Sequence, residues 1–67
     1  MKLLNTVREH RVARRLTQEE LARAVSVSRQ TIISVEKGEY TPSALLALRL
    51  AQTFGVAFED IFELGEE

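Results

Sequence analysis

The sequence predicts an all-α fold of five short helices, and three capping signals support this prediction. Thr17 is followed three residues later by Glu20, the spacing of a capping box, in which each side chain accepts a hydrogen bond from the other residue's backbone N–H. Ser28 and Ser43 also precede segments of helical character, where a serine hydroxyl can accept from an unpaired N–H of the first turn. Helices are therefore expected to begin close to residues 18, 29 and 44.

The apolar residues of each segment recur at helical spacing. They are Val7, His10, Val12 or Ala13, and Leu16 in the first segment, then Leu21, Ala22, Ala24 and Val25, then Ile32 and Val35. The fourth segment, from Ser43 to Phe54, is apolar over most of its circumference and is expected to be central. Gly38 can take the left-handed conformation that ends the third helix, and Gly55 stops the fourth. A short fifth helix is expected through residues 60 to 62.

Length and composition predict one folded domain over residues 1–67. A chain of 67 residues is near the lower limit for a single hydrophobic core, and its 45% hydrophobic and 28% charged residues suit a folded protein. It has no cysteine, which excludes disulfides and thiolate metal sites and fits a reducing cytoplasm. No apolar run approaches the roughly 20 residues of a membrane span. The expectation is a cytoplasmic protein without a membrane partner.

The charges are divided unevenly along the chain. Although the net charge is -1, the part through Lys37 has eight basic and four acidic residues, whereas the part from Gly38 onward has one basic and six acidic residues. This asymmetry indicates one face that attracts phosphate and another that repels it. Chance scatter of solvated charges is the alternative.

The third helix, which starts after Ser28, has an outer face suited to reading DNA. Its Arg29 can form two hydrogen bonds to guanine, and Gln30 can do the same at adenine. Ile33 shares this face, where a hydrophobic side chain suits contact with a thymine methyl group, and partial burial against another helix or a second subunit is the equal alternative. Ser34 and Lys37 complete the face by steps of three and four residues.

The run LTQEELARAVSVSRQTIISVEKGEYTPS, residues 16 to 43, resembles the Cro/C1-type helix-turn-helix domain, also called the XRE family. The resemblance extends from Val7 to Phe62 and implies a lambda-repressor-like fold with its helix-turn-helix at about residues 17–37. The length is similar to that of the short stand-alone members typified by the cytolysin repressor. In that type an extended segment before the first helix pairs with one after the fifth, and the protein forms a homodimer.

The resemblance also implies roles for individual residues. Those that match positions contacting DNA phosphates or base edges are Gln18, Ser28, Arg29, Gln30, Thr31 and Ser34, with Lys37, Tyr40 and Thr41 in the loop that holds the phosphate strand. Arg11 and Glu36 match a buried ion pair that joins the first helix to the end of the third; two independent surface charges are the alternative.

Two residues depart from the family pattern. His10 stands where many members have leucine, and because it has no cysteine or clustered acids nearby in the sequence, a half-buried structural role is expected rather than a metal site. Arg15 stands where glycine is frequent, which predicts a positive φ in a non-glycine residue. No metal or cofactor is expected.

The expected mechanism is repression by occupying an operator in double-stranded DNA. One recognition helix reads only a few base pairs, so useful specificity requires a homodimer on a near-palindromic site. The predicted dimerisation segment, about residues 54–64, contains the apolar residues Phe54, Val56, Phe58, Ile61, Phe62 and Leu64, although core burial is the alternative for some of them. The stretches KLLN (2–5) and FEL (62–64) are expected to pair as antiparallel strands.

Other functions stand as alternatives to repression by operator binding. Activation in place of repression is left open, as is an unidentified protein that relieves repression. An antitoxin-like module that uses the same fold to bind a partner protein is the main alternative. An enzyme is not expected, because the sequence has no cysteine, no recognisable His/Asp/Ser set and no glycine-rich phosphate loop.

Overall fold

The computed structural model describes residues 1–66, which form four α-helices and a two-stranded sheet. In chain order the elements are β1 (Lys2–Asn5), α1 (Val7–Ala13), α2 (Gln18–Ala24), α3 (Arg29–Glu36), α4 (Ala44–Phe54), a 3-10 turn (Phe58–Asp60) and β2 (Phe62–Gly65). The short fifth helix expected through residues 60 to 62 is a single 3-10 turn at Phe58–Asp60, because Phe62 already belongs to a strand. The side chain of Asp60 holds that turn by accepting from the N–H of Ala57 at 3.1 Å.

The three predicted caps are present. Thr17 Oγ1 accepts from the N–H of Glu20 at 3.0 Å, and Glu20 Oε1 accepts from the N–H of Thr17 at 2.8 Å. Ser28 and Ser43 each accept from the N–H three residues further on at 3.1 Å. Each helix from α2 to α4 therefore begins where its capping residue predicts, although α2 and α3 have only seven and eight residues.

The two chain ends meet in an antiparallel sheet, as the sequence predicts. Leu3 lies opposite Leu64, and Asn5 lies opposite Phe62. The pairing extends to Gly65, one residue beyond the predicted strand. A side-chain Cβ at Gly65 would lie 2.4 Å from Leu4 Cδ1, so the glycine makes room for that leucine on the outer face of the sheet.

The core lies where the four helices and the sheet converge. Leu21, Ile32 and Leu50 are its largest fully buried side chains, one from each of α2, α3 and α4. Only one face of α4 is buried, because Leu45 and Leu48 are more than half exposed (58% and 55%). Helix α4 still contributes five residues to the core, as expected of a central helix, and its remaining apolar residues lie at the surface.

Helix α1 is held against the end of α4 by aromatic and cationic contacts. The ring of His10 stacks on Phe54 at a centroid distance of 5.4 Å and is half-buried, as expected from its sequence position. The guanidinium of Arg14 lies 5.0 Å from the Phe54 ring centroid and donates to the Phe54 carbonyl at 2.6 Å. Val12 and Ala13 are both exposed, so neither is the core position expected for this turn.

In residues 1–66, positive φ occurs at four residues, which end helices or turns. Gly38 (φ 76°) and Gly55 (φ 71°) were expected at such positions, and the prediction for Arg15 (φ 58°) is confirmed. Ser26 (φ 63°) was not predicted. None of the helices in residues 1–66 has the length and hydrophobicity needed to cross a membrane.

Candidate nucleic-acid interface

Helix α3 separates an inner apolar face from an outer polar face. Ile32 and Val35 are fully buried, at the three-residue spacing that the sequence shows. Arg29 and Gln30, in the first turn, are exposed. Because both side chains are long and hydrogen-bonding, the first turn of α3 presents groups able to contact base edges.

The hydroxyl groups at the start of α3 are partly engaged within the protein. Ser28 Oγ accepts from the N–H of Thr31 at 3.1 Å and lies 2.9 Å from Thr31 Oγ1. Ile33 and Ser34, in the second turn, are half-buried. Ile33 is therefore partly covered by its own chain, while its contact with a thymine methyl group stays a prediction.

The other end of α3 is fixed by a polar cluster around Glu36. Arg11 Nε donates to Glu36 Oε2 at 2.6 Å, and Arg11 Nη2 donates to Glu36 Oε1 at 3.3 Å. The two side chains are only 12% and 4% exposed. Arg11 Nη1 also donates to the Leu16 carbonyl at 2.8 Å, so this pair connects α1, the following loop and α3.

Gln18 joins α2 to the same cluster. Its Nε2 donates to Glu36 Oε1 at 3.1 Å, and this bond uses one of the two N–H groups of the amide. The second N–H is available for a phosphate oxygen. Gln18 is thus placed both to support α3 and to contact DNA, and the DNA contact stays a prediction.

Asn5, which the sequence interpretation placed only in a strand, connects the sheet to α3. Asn5 Nδ2 donates to the carbonyl of Val35 at 3.0 Å, and Asn5 Oδ1 accepts from the N–H of Val7 at 3.0 Å. An asparagine two residues before a helix start is a recognisable signal for the second bond. The first bond joins residues far apart in the chain and gives no local signal.

The loop after α3 is open to solvent. Lys37, Tyr40 and Thr41 are all exposed, and Tyr40 is among the larger apolar side chains on the surface. The N–H of Glu39 donates to the Ser34 carbonyl at 2.9 Å, which closes the end of the helix around Gly38. These residues are available for the phosphate contacts expected of them.

The residues expected at a dimer interface divide into two groups. Phe54, Ile61 and Phe62 are buried in the core of a single chain, which corrects the expectation for these three. Phe58 (39%) and Leu64 (68%) are exposed, and Val56 is half-buried against the core. The Phe58 ring stacks on Phe62 at 4.9 Å, so the exposed ring is continuous with the core.

One carboxyl group in this region has a clearly shifted pKa. The backbone N–H of Thr17 bonds to the ionised carboxylate of Glu20 and lowers its pKa below the ordinary value; the Thr17 hydroxyl and the charge of Arg23 act in the same direction. Within residues 1–66 no group of three histidine, cysteine or acidic residues is arranged to hold a metal ion.

The fold and this surface together define a helix-turn-helix DNA-binding domain. The HTH_3 helix-turn-helix family model matches residues 7–61. The chain therefore belongs to this family, the XRE-type DNA-binding transcriptional regulators, which are not enzymes.

Relatives and solved structures agree with this membership. An "Uncharacterized HTH-type transcriptional regulator" of Methanothermobacter thermautotrophicus is 56% identical over 91% of this chain and 90% of its own. The crystal structure of the restriction-modification controller protein C.AhdI from Aeromonas hydrophila superposes with a TM-score of 0.76 at 31% identity, covering 81% of this chain and 82% of that one. The cryptic phage CTXphi transcriptional repressor RstR of Vibrio cholerae is 34% identical over 90% of this chain but 54% of its own length.

Proposed function

We propose that this protein is a homodimeric repressor that binds a near-palindromic operator with α3 in the major groove. The observation that carries the proposal is the asymmetry of α3, whose first turn exposes Arg29 and Gln30 while its last turn is fixed to α1 and α2. A side chain that reads a base must be presented at a defined place, and this arrangement supplies it. The relative RstR is named a repressor, which favours repression over activation.

In this proposal the phosphate contacts surround the first turn of α3, whose side chains contact the bases. They come from Gln18 at the start of α2, Ser28 and Thr31 at the start of α3, Ser34 in its second turn, and Lys37, Tyr40 and Thr41 after it. All of them are half-buried or exposed. Arg29 and Gln30 would bind base edges, and Ile33 would contact a thymine methyl group.

The dimer interface of the proposal uses the apolar residues that the core leaves exposed. Phe58 and Leu64 are the principal ones. Leu4 is 40% exposed but lies on the opposite face of the sheet from Leu64, so it does not belong to this surface. Val56 extends this surface from its half-buried position. A twofold axis here would leave the exposed first turn of α3 in each chain free.

The test is selection from a random duplex library at near-physiological salt, followed by affinity measurements on the selected site. Arg29→Ala and Gln30→Ala are each expected to lose roughly 1–3 kcal/mol on the preferred site and to relax the preference at one position per half-site. Lys37→Gln is the matched control, because loss of a phosphate contact weakens binding on all sequences. Equal losses for Arg29→Ala on preferred and unrelated duplexes would contradict base reading.

The dimer is tested separately by sedimentation. Leu64→Asp is expected to shift the protein to monomers without unfolding it, because Leu64 is largely exposed, and Glu63→Asp is the control on the neighbouring exposed position. An unchanged sedimentation profile would place the interface elsewhere.

The duplex selection also tests the alternative function. If the protein retains no duplex, the antitoxin-like alternative is favoured, in which the same surface binds a protein.

A further inference from the structure

An open concavity of about 580 Å³ lies beside α3. One of the residues that line it is Arg8 of α1, which has no role in the proposed function. Its lining residues are Arg8, Arg11, Thr17, Gln18, Glu19 and Arg29. Arg8 is exposed in the first turn of α1, outside the helix-turn-helix itself. The concavity therefore places a side chain of α1 on the same surface as Gln18 and Arg29.

The charges around the concavity are only partly compensated. Arg11 is paired with Glu36, and Glu19 faces Arg23 at 3.8 Å. Among residues 1–66 these are the two ion pairs that the structure contains, so neither Arg8 nor Arg29 has an acidic partner there. Two unpaired guanidinium groups consequently border one depression that is open to solvent.

We propose that this concavity binds a phosphate group of the DNA backbone and that Arg8 is a DNA contact from α1. The inference rests on the proposed function, because the duplex that places its bases against Arg29 supplies the phosphate. A guanidinium presents two parallel N–H groups that match the oxygens of a phosphate. Gln18 lines the same depression, and the second N–H of its amide would donate to the same group.

The position of Arg8 gives this contact a distinct consequence. A phosphate bound between Arg8 and Gln18 is held from two helices, α1 and α2, which are connected because Arg11 and Gln18 both donate to Glu36. The backbone strand would thereby be fixed next to the first turn of α3. Arg8 then strengthens binding to every sequence and does not choose among sequences.

The experiment compares Arg8→Gln with Arg49→Gln, which removes the same charge from an exposed arginine that neither lines the concavity nor forms one of the two ion pairs. For Arg8→Gln we expect binding about threefold to tenfold weaker on preferred and unrelated duplexes alike, and a slope of log affinity against log salt reduced by about one per bound chain. Arg8→Lys should keep most of the slope. Thermal unfolding of each variant establishes that the fold is retained.

Ethylation interference locates the contact directly. Wild-type protein should lose binding when one particular phosphate flanking each half-site is ethylated, and Arg8→Gln should become insensitive at that phosphate alone. The same pattern of interference in both proteins would overturn the inference, as would equal losses for Arg8→Gln and Arg49→Gln.

These measurements also show whether the bound phosphate belongs to DNA or is a free anion. They further distinguish a failure of this inference from a failure of the proposed function. If Arg8→Gln leaves DNA affinity unchanged but abolishes saturable binding of inorganic phosphate, followed by amide chemical shifts, the concavity is a small-anion site and the DNA contact is overturned. If wild type binds duplex with a salt-dependent affinity and Arg8→Gln matches it, the inference fails while the proposed function stands. If wild type binds no duplex, both fail.

Discussion

The two ends of α3 differ in how they are held by the rest of the chain. At the C-terminal end, the Val35 carbonyl and the Glu36 carboxylate accept hydrogen bonds from Asn5, Arg11 and Gln18, residues that come from three other parts of the chain. At the N-terminal end, Arg29 and Gln30 are exposed, and the Ser28 cap is local. The fixed end determines the direction of the helix, and the exposed end is left available for a ligand.

The largest effect is expected from removing Glu36. Glu36→Ala would leave the guanidinium of Arg11 in a site where it is 12% exposed and without its counter-charge. Loss of one partner of such a pair costs about 3–5 kcal/mol, much of the stability of a domain of this size. Urea unfolding measures the loss.

A double variant is the control for this prediction. Arg11→Met with Glu36→Leu removes both charges together and should recover a large part of the stability, since apolar replacements of buried pairs are often neutral. If Glu36→Ala alone unfolds with the wild-type midpoint, the cluster does not fix this end of α3.

A smaller effect is expected from Asn5→Asp. Aspartate can still accept from the N–H of Val7, but it cannot donate to the Val35 carbonyl, which is then left without this side-chain donor. The expected cost is about 1–3 kcal/mol in the free energy of unfolding. Asn5→Ala removes both bonds and should cost more. Wild-type stability in Asn5→Asp would show that the Val35 bond contributes nothing, and equal stabilities of the two variants would show the same of the Val7 bond.

The capping box at the start of α2 should make stability depend on acid. The pKa of Glu20 is lower in the folded protein than in the unfolded chain, so its contribution is complete above the ordinary glutamate pKa and is lost as the pH falls through the folded value. We expect the urea midpoint to fall more steeply below about pH 4.5 in wild type than in Glu20→Gln. Glutamine keeps the capping geometry but does not titrate, so identical pH profiles would contradict this contribution.

The smallest effect on stability is expected at the exposed end of α3. Arg29→Ala and Gln30→Ala should each change the free energy of unfolding by about 0.5 kcal/mol or less, because neither side chain is buried. The same variants carry the largest expected effect on DNA binding. A substantial destabilisation in thermal unfolding would mean that this end of the helix also serves the fold.

The local features of this fold could be predicted from the residues themselves. The two contacts between distant segments that were predicted, the Arg11–Glu36 pair and the pairing of β1 with β2, came from a family resemblance. The starts of α2 and α3 were predicted from their caps, Thr17 with Glu20 and Ser28, because a cap depends on residues only three apart. The positive φ of Arg15 was predicted from the family resemblance, because glycine is frequent at this position in the family. The Asn5–Val35 bond and the Arg14 contact with Phe54 depend on how separate elements meet, which no spacing in the sequence records.

The exposure of side chains could likewise be predicted only where it follows from local periodicity. Arg29 and Gln30 were placed on the outer face of α3 by helical periodicity alone, and both are exposed. The apolar set near the C-terminus could not be divided in this way, because Phe58, Ile61 and Phe62 are equally hydrophobic in sequence. Only the paired strands and the 3-10 turn decide which of them faces the core.

The pairing of β1 with β2 also has a consequence for how the molecule folds. Contacts within and between α2 and α3 are close in sequence, whereas the sheet joins the opposite ends of the chain. The entropy lost in closing a loop grows with its length, so the local contacts are favoured to form first. The sheet should therefore form late in folding. During synthesis β1 is made first and remains unpaired until β2 follows, while the helices between them can already be packing.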